Sequence, residues 1–127
     1  MSGRVVHFEI PADNVERAQA FYREAFGWTI NAIPEMGYTL VGTTATDESG
    51  APKEPGGING GILARQAPIN SPVITIEVDD IDAAAPTIEK LGGVLVGPKA
   101  PVGEMGFAAY FTDTEGNVIG LWQNAPR

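Results

Sequence analysis

Residues 5–10 read VVHFEI and residues 73–78 read VITIEV, an offset of 68 residues. Each stretch alternates with period two, the pattern of a strand whose two faces meet different surroundings. Val6, Phe8 and Ile10 fall on one side of the first stretch, and Ile74, Ile76 and Val78 on the same side of the second. That side is uniformly apolar and is expected to pack on helices. The other side carries Val5, His7 and Glu9 in one copy and Val73, Thr75 and Glu77 in the other, so polar groups recur in one register. A repeated strand implies a repeated unit.

The flanks agree. After the first stretch, Val15, Ala18, Phe21, Tyr22, Ala25 and Phe26 line one face of a helix, capped by Asn14 or Asp13 and closed by Gly27. After the second, Ala84, Ile88 and Leu91 follow Asp80 or Asp82 as cap, and Gly92-Gly93 closes the helix. Pro86 is tolerable there only within the first turn or so. Glu35-Met36-Gly37-Tyr38 then recurs as Glu104-Met105-Gly106-Phe107, and each copy opens a strand, Tyr38 to Thr43 and Phe107 to Thr112. A glycine-containing turn and a last strand follow: Gly57 to Leu63, and Gly116 to Gln123. The order is β-α-β-β-β, twice, in a single domain of residues 1–127 with repeats at about 4–65 and 72–124. The copies differ between their last two strands. The second has the tight turn Asp113 to Asn117, and the first a polar loop, Thr44 to Gly56, which reads as either a surface excursion or a lid.

Composition narrows the chemistry. With 127 residues the chain buries a core without staples, and it has no cysteine. Disulfides, thiolate zinc sites and a cysteine nucleophile are excluded. One histidine, His7, rules out a two-histidine-one-carboxylate triad or a three-histidine zinc site within one chain. Sixteen acidic residues against eight basic ones give a net charge of −8, which repels a phosphate backbone, so nucleic acid is not expected as a partner. Glu9 interrupts the only apolar N-terminal stretch, so no secretory signal is expected, and no run approaches the length of a membrane span. The simplest reading is a soluble cytoplasmic domain.

HFEIPADNVERAQAFYREAFGW, GGINGGI, EVDDIDAAAPTIEKLGG and FTDTEGNVIGLWQ together resemble the vicinal oxygen chelate superfamily of glyoxalases, bleomycin-resistance proteins and extradiol dioxygenases, most closely its small bacterial glyoxalase-like members. The resemblance implies an α+β fold of two βαβββ modules, forming curved mixed sheets around a cup for a small molecule, often in a homodimer. Metal-using members take ligands from the first and last strands of both modules. Those slots fall here on His7, Gly61, Thr75 and Gly120. Glycine supplies no ligand and threonine a poor one, so the usual divalent metal is not expected, and no other cofactor is implied. Glu9 and Glu77 share the slots' strand faces, but each lies about 6–7 Å further along its strand.

His7 is open to three readings: a satisfied histidine on a half-buried strand, a hydrogen-bonding group for a ligand, or a general base. The glycines around Asn59 read as backbone crowding rather than a phosphate cradle, since no P-loop lysine follows. Trp122 shares the parity of Gly120 and is expected to wall a space left by the two slot glycines, with Tyr110 beside it. The candidate ligand-binding set is therefore His7, Glu9, Asn59, Thr75, Glu77, Tyr110 and Trp122, with His7 the candidate catalytic group. The leading expectation is a domain that binds a small organic molecule without the usual metal. The alternatives are a metal-dependent lyase, isomerase or dioxygenase with an unconventional site, and a structural dimer whose cup its own side chains fill.

Overall fold

A computed structural model describes residues 3–126. Two compact units divide the chain: His7–Pro72, and the residues up to Val6 together with those from Val73 onward. One boundary between them falls inside the first strand. Arg4 belongs with the second unit because its carbonyl accepts from the Glu77 N–H at 2.9 Å and its guanidinium donates to the Glu77 carboxylate at 3.1 Å.

The first unit runs β1 (Val5–Ala12), α1 (Val15–Phe26), β2 (Thr29–Ile33), a 3₁₀ turn (Pro34–Met36), β3 (Tyr38–Gly42) and β4 (Gly60–Ala64). Its strands lie in the order β2-β3-β4-β1, antiparallel except that β1 and β4 run parallel. The parallel pair is possible because a helix and two further strands intervene between them in sequence. Asn14 caps α1 by accepting from the Arg17 N–H at 2.9 Å, and Gly27 closes it in the left-handed conformation at φ 73°. Val41, Ile62 and Ala12 form the core, with Phe8, Ile10, Val15, Ala18, Tyr22, Trp28 and Ile30 packed on them. Gln19 of α1 donates to Thr39, which is buried at 2% exposure, at 2.7 Å and so ties helix to sheet through a satisfied polar pair.

Three expectations for α1 are corrected, since Ala25 is exposed along with both phenylalanines. Phe21 is 58% exposed and Phe26 64% exposed. Phe21 lies a third of a turn around the helix from the Val15 line. Phe26 is the last helical residue, and its ring meets Phe21, Tyr22 and Trp28 instead of the buried core. The 44–56 loop is a self-braced excursion: the Asp47 carboxylate accepts from the Ser49 and Ala51 N–H groups at 2.8 and 3.1 Å, and Thr46 bridges to Pro52. These bonds, with the Ser49 hydroxyl first among them, hold the Asp47 carboxyl below the usual range.

The second unit runs β5 (Val73–Glu77), α2 (Ile81–Lys90), β6 (Val94–Val102), β7 (Gly106–Thr112) and β8 (Val118–Asn124). Its strands lie in the order β6-β7-β8-β5, and only β5 and β8 are parallel. The βαβββ order thus occurs twice. Ile81, Ala109 and Leu121 form its core, with Ile76, Val78, Ile88, Phe107 and Phe111 around them. Ile74, expected on the packed side, is 46% exposed at the start of β5. Asp80 caps α2, and the Gln123 amide oxygen accepts from the Ile81 N–H at 2.7 Å, holding the helix start on the sheet. Pro86 sits in the middle of α2, not in its first turn. It leaves the Asp82 carbonyl without its usual intrahelical donor, a cost that packing of Ile81 and Ile88 offsets.

Candidate functional site

Alternation along β1, β3 and β4 sends Phe8, Ile10, Val41 and Ile62 toward α1, and His7, Glu9, Tyr38, Gly61 and Leu63 to the face turned away from it. On that face His7 Nε2 and the Tyr38 hydroxyl are hydrogen-bonded at 2.7 Å, with the rings 6.3 Å apart and inclined by 18°. Tyr38 pairs with Leu63 across the β3–β4 ladder, so its ring reaches diagonally onto Gly61, two residues back. A Cβ at position 61 would run into the phenol ring. The space expected over this glycine is therefore occupied, by an aromatic side chain lying on a residue that has none.

Glu9 stands directly opposite Gly61 in the parallel β1–β4 pair and is only 7% exposed. Burial pushes the His7 imidazole below its ordinary value, and the Glu9 charge pulls it partly back up. His7 is consequently neutral at pH 7. A neutral ring has one N–H and one lone pair, and the geometry at Nε2 suits either tautomer.

The second unit presents Thr75, Glu77, Tyr110, Gly120 and Trp122 on the face turned away from α2. Thr75 is the register partner of Gly120, and Tyr110 pairs with Gly120 from the other side. A Cβ at position 120 would lie 2.7 Å from the Thr75 hydroxyl, so here too a neighbour crowds the glycine. The Trp122 indole N–H donates to Asn124 at 2.8 Å, Asn124 donates to Glu77 at 3.2 Å, and Arg4 donates to the other Glu77 oxygen. This ladder fixes the Trp122 ring, which crowds Gly106.

The pairing also separates slots that the sequence treats as equivalent. Thr75 faces Gly120, but Gly61 faces Glu9 and not His7. Asn59 is set apart from both faces: its side-chain oxygen accepts from the Thr43 and Thr44 N–H groups at 2.7 and 3.1 Å, bracing the chain before β4.

The superfamily's metal can be tested against these donors. Glycine stands at two slots, a threonine hydroxyl at a third, and the His7 Nε2 is engaged by Tyr38. Among the described residues no three His, Asp or Glu side chains lie together as a metal would require. The residues do not fit the usual metal.

Sequence reasoning missed Tyr38, Asn124 and Arg4. The repeated Glu-Met-Gly-aromatic motif was the signal for Tyr38, since it marks an aromatic side chain at the start of a strand beside the glycine-rich one.

A family model described as bleomycin resistance protein-like N-terminal matches residues 4–44. A glyoxylase-like domain-containing protein of Didymella fabae is 31% identical over 131 residues, spanning 92% of this chain and 91% of its own. The chain belongs to the vicinal oxygen chelate superfamily, as a glyoxalase-like domain. Among solved structures, a methylmalonyl-CoA epimerase of Streptomyces coelicolor in complex with 2-nitronate-propionyl-CoA aligns with a TM-score of 0.69 at 17% identity, over 99% of this chain and all of that one. A hypothetical protein of Bacillus halodurans C-125 aligns with a TM-score of 0.68 at 14% identity, over 100% of this chain and 98% of that one. At such identities the likeness carries this vicinal oxygen chelate fold and no activity.

Proposed function

We propose that this domain binds a small organic molecule on the helix-free face of its first unit, beside the His7–Tyr38 pair and without the superfamily's usual metal. The observation that carries the reading is the pairing itself. A half-buried imidazole and a phenol, 2.7 Å apart beside a glycine, leave a compact polar spot among Leu40, Leu63 and Pro11. Such a spot recognises a ligand with one or two hydrogen-bonding groups on an apolar frame. On the second unit, taken by itself, Trp122 offers a surface for an apolar or flat group, with Thr75, Glu77 and Tyr110 on the same helix-free face. A fold neighbour crystallised with a CoA ester is in keeping with small-molecule binding on this scaffold.

A melting-temperature screen against small carbonyl, enol and phenol compounds tests the reading. Hits should lose their effect in Tyr38→Phe and His7→Gln. EDTA should leave the melting temperature of freshly purified protein unchanged; metal bound above its dissociation constant by about 100-fold would stabilise by roughly 2.7 kcal/mol. Stoichiometric zinc, nickel, manganese or iron would overturn the metal-free part. We further assign the domain as a homodimer, in which exposed Phe21 and Phe26 of α1 are apolar surface available to a second copy.

A further inference from the structure

The side chains on the helix-free face of the first unit do more than fill space over Gly61. We propose that Tyr38 and His7 form a proton relay acting on a weakly acidic hydrogen of the bound molecule, with Tyr38 touching the substrate and His7 acting through Tyr38. This inference rests on the proposed small-molecule site.

A phenol with an ordinary pKa near 10 holds its proton at neutral pH and is a poor base alone. A neutral imidazole at 2.7 Å removes that handicap. The substrate's C–H or O–H bond breaks, its electron pair stays on the substrate, and the hydrogen bonds to the Tyr38 oxygen. At the same time the original Tyr38 O–H bond breaks and its proton joins His7 Nε2. The substrate becomes an anion and His7 an imidazolium, so charge is conserved. Returning the proton to a different atom of the same substrate completes an isomerisation or tautomerisation. No oxidant, reductant or co-reactant is required.

Three features hold this arrangement in place. Gly61 makes room for the Tyr38 ring, and a side chain there would run into it. Burial keeps His7 neutral and therefore able to accept. Glu9, on the same strand face and opposite Gly61, supplies the negative charge that favours the imidazolium once formed. The substrate class is a comparatively strong carbon acid such as a 1,3-dicarbonyl, because the net proton acceptor is the weakly basic His7 imidazole and Tyr38 is a phenol again when the step is complete.

The relay needs Nε2 to be the acceptor, so the His7 proton must reside on Nδ1. With one histidine in the chain, ring-nitrogen NMR of uniformly labelled protein reads the tautomer without ambiguity. A proton on Nδ1 supports the relay; a proton on Nε2 overturns it, and no variant is involved. The second measurement follows deuterium uptake at the central carbon of acetylacetone in heavy water at neutral pH. The native protein should speed it above the buffer rate, and Tyr38→Phe should reduce that acceleration by roughly 100-fold or more. A native rate equal to buffer, or an undiminished rate in folded Tyr38→Phe, overturns the relay. If acetylacetone raises the melting temperature but is not exchanged, the relay falls and the binding site stands. If no compound in the screen binds this face, the binding reading itself falls.

Discussion

Gly61 and Tyr38 show how little a single position means apart from its neighbours. A missing side chain suggests a vacancy, yet the phenol ring lies on that glycine. Gly61→Ala should therefore destabilise by about 1–3 kcal/mol through overpacking, and Tyr38→Ala in the same chain should relieve part of that penalty. Urea titration of the two single variants and the double variant gives the coupling; strict additivity would mean the ring does not rest on position 61. Tyr38→Phe removes the hydrogen bond to His7 and should cost about 1 kcal/mol with the fold intact. His7 adds a pH signature. Its folded pKa lies below the unfolded value of about 6.5, so on acidification the unfolded chain takes up the proton first. Stability is unaffected by His7 well above that value. It is lost as pH falls from about 6.5 toward the folded pKa, with a limiting slope of about 1.4 kcal/mol per pH unit. Denaturant midpoints at pH 7.5 and 5.5 should fall further apart in the native protein than in His7→Gln.

At the scale of the element, capping was plain from the residue types. Asn14 and Asp80 stand where a short polar side chain meets the first free N–H groups of a helix, and both accept there. Asn14→Ala should cost about 1 kcal/mol, measurable as a lower denaturation midpoint. Pro86 was harder to place. Local rules push proline to a helix start, and only burial of Ile81 and Ile88 against β7 and β8 carries α2 past it. Pro86→Ala should restore the Asp82 carbonyl's partner and raise the melting temperature; a fall would mean the kink is needed for packing. The aromatic stripe of α1 shows the converse error. Helical periodicity groups Phe21 and Phe26 with Tyr22, but periodicity carries no information about how far the sheet extends beneath the helix.

For the whole molecule, the proposed homodimer predicts that light scattering at micromolar concentration returns about twice the 13.4 kDa of one chain. Phe21→Glu together with Phe26→Glu should give the monomer mass if that helix face lies in the interface. Among the described residues no helix is long and apolar enough to cross a membrane. The amino-acid sequence by itself determined the doubled βαβββ order, the helix-packed sides of β1 and β5 and the helix caps, because these follow from strand alternation, helical periodicity and side chains that bond within a few residues of themselves. By count it also excluded the usual histidine-rich metal sites within one chain. Only the tertiary structure decided what covers the slot glycines, that Glu9 and not His7 faces Gly61, and that Asn59 braces a loop. Those outcomes depend on the offset between strands that are distant in the chain. That offset is set by packing across the whole sheet, and a shift of one residue would send every side chain to the other face.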